Sequence, residues 1–107
     1  MLVEASGTQT AVVGTEHTLA SPTTGKTRAL LVDVAAQVAG DVVELRIFGP
    51  VLVDGTSRLI LMTTFSGVIA APNTQSWPAI MPHGGTVTLK QTAGTARAYP
   101  WDICTLD

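Results

Sequence analysis

The sequence predicts an all-β protein, an antiparallel β-sandwich or jelly-roll-like barrel of about seven or eight strands. Short β-favouring runs recur at roughly ten-residue spacing and are separated by Gly, Pro and Asn. The stretch DVVELRIF places Val43, Leu45 and Ile47 on one side and Glu44 and Arg46 on the other, which is the period of a half-buried strand. Alanine is common but never recurs at sustained helical spacing, so no long helix is expected.

The first part of the chain contains predicted β segments that precede this alternating strand. Residues 8–14 (TQTAVVG) form a strand, and residues 16–20 continue or follow it. Residues 28–34 (RALLVDV) form an apolar strand rich in Leu and Val. Residues 35–41 are the one segment in which a helical turn is expected.

A β-hairpin is predicted in the middle of the chain. The alternating strand is expected to run past the Gly-Pro pair at 49–50 into residues 51–53, with that pair acting as a bulge or bend. Asp54-Gly55 is the strongest hairpin dipeptide in the sequence. Residues 58–65 then form the returning strand.

The last part of the chain supplies the remaining strands. Residues 66–75 contain a strand fragment and a Pro-Asn turn. Residues 76–82 carry two prolines, which confine this extended segment to a sheet edge or to a loop on the core. Residues 85–92 alternate again, and residues 96–106 close the chain as a final strand.

One motif imitates a nucleotide site. Residues 20–27 (ASPTTGKT) fit a relaxed phosphate-loop pattern, and Asp33 follows an apolar run. A working phosphate loop needs a helix that begins at its Lys-Thr, so that the helix N-terminus faces the anion. Here a β-favouring segment follows Lys26 and Thr27, and Asp33 arrives too soon to lie on a second parallel strand. The motif is therefore interpreted as a loop between two strands.

Length, charge and composition indicate a single domain and exclude some classes of protein. The 107 residues are predicted to form a single domain over 1–107, with residues 1–7 as an N-terminal arm that can reach a neighbouring molecule. Charged residues make up 13%, about half the usual share of roughly 25%, which suits either a chain that lies against partners or an ordinary β domain with a Thr-rich face. The net charge is −2 and the sequence has no cluster of basic residues, so binding to nucleic acid is not expected. No apolar run is long enough for a membrane helix. No signal peptide is predicted, so synthesis in a cytoplasm is expected.

The sequence offers no constellation for catalysis or for a cofactor. A single cysteine, Cys104, excludes an internal disulfide, and His17 and His83 lie far apart without acidic or cysteine neighbours at metal-ligand spacing. No Ser, His and acid are arranged for acyl transfer. Tyr99 and Trp101 are expected to share one strand face, as core or interface anchors or, alternatively, as a platform for sugars. The chain is predicted not to be an enzyme.

Several sequence blocks resemble a known family. GTEHTLA, DVVELRIF, DGTSRL and TLKQTAGTARAYPW are similar, in the same order, to blocks in small β-rich proteins encoded beside the capsid genes of tailed bacteriophages and prophages. The resemblance runs from about residue 7 to residue 103. The sequence departs from the pattern of these proteins in PVLVDG and in APNTQSWPAIMPHGG. Contacts that the similar proteins make through those segments are therefore not expected to be the same in this chain.

The resemblance implies a capsid decoration, or cement, protein on the exterior of the virion. Its expected partner is the major capsid protein, and its expected state is a homo-oligomer, a dimer or a trimer, because such proteins surround symmetry axes. A tail, neck or fibre component and a carbohydrate-binding module for host attachment are the alternatives. Candidate interface residues are large apolar or aromatic side chains in or near the Pro-rich segment and the last strand, together with two arginines: Trp77, Pro78, Met81, His83, Tyr99, Trp101, Arg46 and Arg58.

Overall fold

A computed structural model describes residues 2–69 and 74–106, except for the side chains of Thr74, Gln75 and Trp77. Within these residues the protein consists of strands joined by turns and loops, so the predicted all-β fold is confirmed. The eight strands are β1 (Leu2–Thr10), β2 (Glu16–Ala20), β3 (Lys26–Asp33), β4 (Val42–Gly49), β5 (Arg58–Ser66), β6 (Thr74–Met81), β7 (Thr86–Ala93) and β8 (Ala98–Thr105).

The strands form two antiparallel sheets of four. Sheet A has the order β1-β8-β3-β6 and sheet B the order β2-β7-β4-β5. The strand pairs β4–β5, β3–β6, β2–β7 and β1–β8 are nested, as if one long hairpin had been rolled up. This is the strand order of a jelly roll, which was one of the two predicted architectures.

The core lies between the inner faces of the two sheets. Val43, Leu45 and Ile47 of β4 are almost fully buried, as the alternation predicts. They pack with inward-facing residues of the neighbouring strands and of sheet A, among them Leu89 and Ile103. Burial of each such side chain contributes about 1.5–3 kcal/mol, so the alternating strand is a main source of stability.

The central hairpin exists, but its connection differs from the prediction. Gly49 pairs with Arg58, and residues 50–57 form a loop in which Asp54 has a positive φ of 59°. The expected continuation of the strand through residues 51–53 is wrong. Pro50 lacks the N–H that a strand ladder needs, and the chain instead makes a turn in which the Gly55 N–H donates to the Leu52 carbonyl at 2.9 Å.

Three other local predictions are corrected. Residues 2–7 are not a free arm, because they form the first part of β1 and pair with β8 as far as Leu2 and Thr105. This strand ends at Thr10, so residues 11–14 belong to a loop. Residues 35–41 contain isolated turns rather than a helical one.

The remaining predictions concern edges and loops. Pro78 lies in β6, which is an edge strand of sheet A, as its proline content predicts. Residues 21–25 connect β2 to β3, and Lys26 and Thr27 lie in β3, so the loop interpretation of the phosphate-loop pattern is confirmed. Residues 67–69 are outside the strands, and the predicted Pro-Asn turn lies outside the described residues.

Candidate docking surface

The two ends of the sandwich carry different chemistry. We call one the hairpin end: it comprises loops 21–25, 50–57 and 82–85, with Leu2 and Leu106 beside them. The pairing of Gly49 with Arg58 and the start of β7 opposite Phe48 bring these segments to the same end. We call the other the network end, formed by loops 11–15, 34–41 and 94–97.

The network end is built around a buried carboxylate. Asp41 is 1% exposed and accepts hydrogen bonds from the Val38 N–H at 3.0 Å, the Thr95 N–H at 3.0 Å and the Arg97 Nε at 2.8 Å. The Val38 N–H, followed by the Thr95 N–H and the Arg97 guanidinium, holds the pKa of Asp41 below its usual value against the opposing effect of burial. This carboxylate thereby ties loop 34–41 to loop 94–97.

A buried amide completes the network. The Gln91 side chain is fully buried, and its Nε2 donates to the carbonyls of Ala93 at 3.0 Å and Thr95 at 2.7 Å. Its Oε1 accepts from the Arg97 N–H at 3.1 Å and from the Tyr99 hydroxyl at 3.3 Å. All the hydrogen-bonding groups of this amide are used to shape the β7–β8 turn.

The sequence block QTAGTARAY is therefore accounted for by folding. Gly94 has a φ of 89°, and a Cβ there would overlap Asp41.

Burial, and secondly the Asp41 charge, raise the pKa of Tyr99 to about 12. Tyr99 is fully buried in the core, so its prediction as an interface or sugar-platform residue is wrong. Met81 is buried in the same way and is likewise removed from the interface candidates.

The hairpin end presents apolar side chains to solvent. Val51, Leu52 and Val53 are consecutive and are 76%, 71% and 71% exposed. Leu2 and Ile80, at the same end of sheet A, are exposed to a similar degree. An exposed apolar cluster of this kind marks a contact surface more often than scattered single residues do.

Close backbone contacts connect the loops of the hairpin end. Gly84 and Gly85 have positive φ values of 77° and 153°. A Cβ on Gly84 would overlap the Pro22 carbonyl, and one on Gly85 would overlap the Phe48 carbonyl. The Gly85 N–H donates to the Pro22 carbonyl at 2.9 Å, so loop 21–25, loop 82–85 and strand β4 are joined. The apolar cluster thus stands beside a closely packed base.

The other predicted interface residues are scattered. His83 and Arg58 are exposed and lie at the hairpin end, and Pro78 is exposed on edge strand β6. Arg46 lies on sheet B, where it is paired with Glu44 at 2.6 Å and Glu16 at 3.3 Å, so its charge is already satisfied within the chain. The side chain of Trp77 lies outside the described residues.

Trp101 occupies a different position from these residues. It is half-buried, packs against the core and lines a shallow cleft of about 220 Å³ together with Leu31, Asp33, Pro100 and Asp102. Trp101 and Tyr99 do contribute to the same side of β8, as the alternation predicts, and that side is the core side.

Sequence reasoning missed the apolar cluster itself. The sequence pattern predicts that residues 51–53 continue a strand, in which alternate side chains are buried. The signal that could have found them is their position between Pro50, which cannot continue a ladder, and the Asp54-Gly55 turn. Three consecutive apolar residues between two chain-turning elements are typical of an exposed loop tip.

Reactive and metal-binding groups are sparse in the described part of the chain. Cys104 is buried, its thiol donates to Asp102 Oδ1 at 3.3 Å, and burial followed by this hydrogen bond raises its pKa. Among residues 2–69 and 74–106, no three His, Cys, Asp or Glu side chains are grouped as metal ligands. No helix in these ranges is long and apolar enough to cross a membrane.

The comparisons with known proteins add no relative. No protein-family model matches the chain, and neither a curated protein nor a solved structure was found to be significantly similar to it.

Proposed function

We propose that this chain is a structural protein of a tailed-bacteriophage particle, which decorates the exterior of the capsid and stabilises the major capsid protein shell by docking its hairpin end. The observation that carries the proposal is the cluster of Val51, Leu52 and Val53, exposed together above a closely packed base. The only charged side chain in loop 50–57 is that of Asp54. Such a surface suits a lasting contact with another apolar surface rather than exchange with solvent.

The energetics favour many weak contacts over a single strong one. Burying these three side chains contributes about 1.5–3 kcal/mol each. Association costs roughly 4–15 kcal/mol in lost freedom. The loop tip alone therefore provides only a weak contact, to which the exposed Leu2 and Ile80 at the same end of the sandwich add. A shell that repeats one binding site many times makes such modest contacts sufficient when the bound copies are linked.

Fold and sequence supply independent support. The jelly roll is an architecture found in viral capsid and lectin domains. That is an analogy at the level of the fold, and a fold does not by itself determine a function. The sequence blocks that resemble small β-rich proteins encoded beside phage capsid genes favour the capsid among the uses of this fold.

The direct test replaces the apolar cluster. The triple variant Val51→Ser, Leu52→Ser, Val53→Ser is mixed with shells assembled from the major capsid protein of the phage that encodes the chain, and binding is measured by co-sedimentation. We expect at least a tenfold loss of bound protein, because the variant removes about 4–9 kcal/mol of apolar burial. Undiminished binding would contradict docking through the hairpin end.

A matched control uses apolar residues at the opposite end of the sandwich. Val12, Val13 and Val68 are also exposed, and all three are replaced by Ser. This variant is expected to bind shells as the unmodified chain does. If both triple variants lose binding equally, replacing exposed apolar residues at either end weakens binding, and docking through the hairpin end is wrong.

Copy number separates the head from the tail. In purified particles, quantitative mass spectrometry against the major capsid protein should give a ratio near one or a simple fraction. A handful of copies per particle would instead assign the chain to the tail, neck or fibre. Absence from the particle would overturn the virion proposal altogether.

A further inference from the structure

A sandwich of two sheets has four edge strands. In this chain three of them have features that hinder pairing with a further strand, and we call these edges blunted. Edge strand β6 contains Pro78, which cannot donate to a further strand. Edge strand β1 has an irregularity between Val3 and Ala5. Edge strand β2 has only five residues and an irregularity between Thr18 and Ala20. Short strands, bulges and prolines are the devices by which proteins prevent edge-to-edge pairing.

The fourth edge, β5, has only one of these devices, an irregularity at one end. It has nine residues and no proline, and no charged side chain occurs between Leu59 and Ser66. Its exposed side chains include Ile60 at 41% and Met62 at 49%. The irregular pairing with β4 is confined to the Arg58 end of the strand, which leaves a regular run from Leu61 to Ser66. A long, uncharged, apolar edge is a site for pairing with another strand.

The core is also less well covered along this edge. Leu61 and Phe65 lie on the core side of β5 but are only half-buried, whereas Val43 and Leu45 on the adjacent strand are almost completely buried. Leu61 also lines a narrow gap between the sheets. A further strand beside β5 would cover the exposed parts of these side chains.

We propose that β5 pairs antiparallel with the β5 strand of a second copy of this chain, around a two-fold axis that passes through Thr63. The two copies of sheet B then form one continuous eight-stranded sheet. In such a sheet a residue must oppose one that points to the same face. An axis at Thr63 satisfies this condition and places Leu61 of each copy opposite Phe65 of the other, so the two cores become continuous.

Charge favours a second copy as the occupant. Because residues 59–66 are uncharged, self-pairing brings no like charges together within the strand. The two Arg58 side chains lie at opposite ends of the pair, about 30 Å apart, which is well beyond the screening length at physiological salt. No complementary charge on a different partner is needed to satisfy this edge.

The size of the contact predicts a reversible dimer. With the axis at Thr63, residues 60–66 of the two copies overlap, a strip about 24 Å long, and the shortest dimension of the molecule is 18 Å. Those dimensions cover roughly 400 Å² per copy, less than the roughly 800 Å² of a standard stable interface. Dimerisation should therefore depend on protein concentration in the micromolar range or above.

The dimer does not depend on the proposed function, but it changes what docking would do. Antiparallel pairing directs the two hairpin ends in opposite directions. A dimer that lies on a shell would therefore bridge two separate capsid subunits instead of doubling the contact on one. This consequence rests on the proposed function, whereas the dimer forms in the absence of any shell.

The test is a sedimentation-velocity series on the purified full chain, from about 1 µM to about 1 mM. The unmodified chain should convert from monomer to dimer over this range. Met62→Lys should raise the dissociation constant at least tenfold, because it puts a charge on each strand beside the axis. The control Thr8→Lys, at an exposed position on the blunted edge β1, should dimerise normally. Thermal unfolding of each variant verifies that it is folded.

Charge complementation tests the two-fold arrangement itself. Met62 side chains of the two copies are diagonal neighbours, about 7–8 Å apart and within reach of long side chains. A mixture of Met62→Lys with Met62→Glu should therefore recover dimers that neither variant forms alone. The proposal is overturned by a monomeric unmodified chain, by normal dimerisation of Met62→Lys, or by a mixture that fails to recover. A chain that is monomeric alone but loses shell binding on Met62→Lys would assign the edge to a capsid strand instead.

Discussion

The two ends of the sandwich differ in the groups that they bury and expose. The network end buries polar groups, with Asp41 and Gln91 almost inaccessible to solvent. The hairpin end exposes apolar groups, with Val51, Leu52 and Val53 each more than two-thirds exposed. The comparison teaches that the most recognisable sequence block, QTAGTARAY, serves folding. The loop of residues 50–57 carries the candidate contact.

The energetic meaning of the two ends differs accordingly. A buried donor or acceptor that loses its partner costs about 1–3 kcal/mol, so substitutions in the network end should act on stability. An exposed apolar side chain has little folding energy to lose. Substitutions of Val51, Leu52 and Val53 should therefore act on association and leave the free energy of unfolding almost unchanged.

The largest expected effect comes from breaking the network end. Gln91→Leu keeps the side-chain volume but leaves the Tyr99 hydroxyl and the Arg97 N–H without the acceptor they share. The carbonyls of Ala93 and Thr95 lose their donor as well. We expect the free energy of unfolding to fall by about 3 kcal/mol, measured by urea denaturation.

The same substitution elsewhere provides the control. Gln9 in β1 makes only an exposed hydrogen bond to the neighbouring Thr10 carbonyl. Gln9→Leu should change the free energy of unfolding by less than about 0.5 kcal/mol. Equal losses in the two variants would mean that the network end is not specially dependent on its buried amide.

A smaller effect should appear at alkaline pH. The pKa of Tyr99 is about 12 in the folded chain and 10.0 in its usual environment, so deprotonation favours the unfolded state. Its contribution to stability is therefore fully present below pH 10 and is lost as the pH rises towards 12. The loss should not exceed about 1.4 kcal/mol per pH unit.

The comparison with Tyr99→Phe isolates this contribution, since the lysines also titrate in that range. The slope of unfolding free energy against pH above pH 10 should be shallower in the variant. The absolute stability of Tyr99→Phe falls too, because the hydroxyl donates to Gln91. An unchanged slope would show that Tyr99 does not carry the alkaline sensitivity.

The smallest effect on stability is expected at the hairpin end. The triple Ser variant of residues 51–53 should unfold within about 0.5 kcal/mol of the unmodified chain. Urea denaturation of the two proteins side by side provides the measurement. A loss of several kcal/mol would mean that these residues support the fold, and the two ends would then no longer differ in role.

Local patterns were sufficient for much of the fold. The alternation in β4 predicted which residues face the core, and Pro78 predicted an edge strand. Asp54-Gly55 predicted the central hairpin. Each of these properties depends on a few adjacent residues, through side-chain period, the missing N–H of proline or the backbone freedom of a turn.

The candidate site was harder to predict, because exposure depends on what packs above a residue. Tyr99 and Met81 have the composition of interface anchors, yet both are buried. Residues 51–53 have the composition of a core strand, yet they are exposed. Side-chain type alone cannot distinguish a buried apolar residue from a contact residue, since both are selected for removal from water.

The sequence by itself determined that this chain forms antiparallel strands, where several of them turn, and that no phosphate loop forms at residues 20–27. Only the tertiary structure decided how the strands are ordered, which end is closed by polar groups and which sheet edge remains open. The pairing of Asp41 with Arg97 joins residues 56 positions apart, and β1 pairs with β8 across nearly the whole chain. Such contacts have no local periodicity, because their partners meet only after the two sheets have packed.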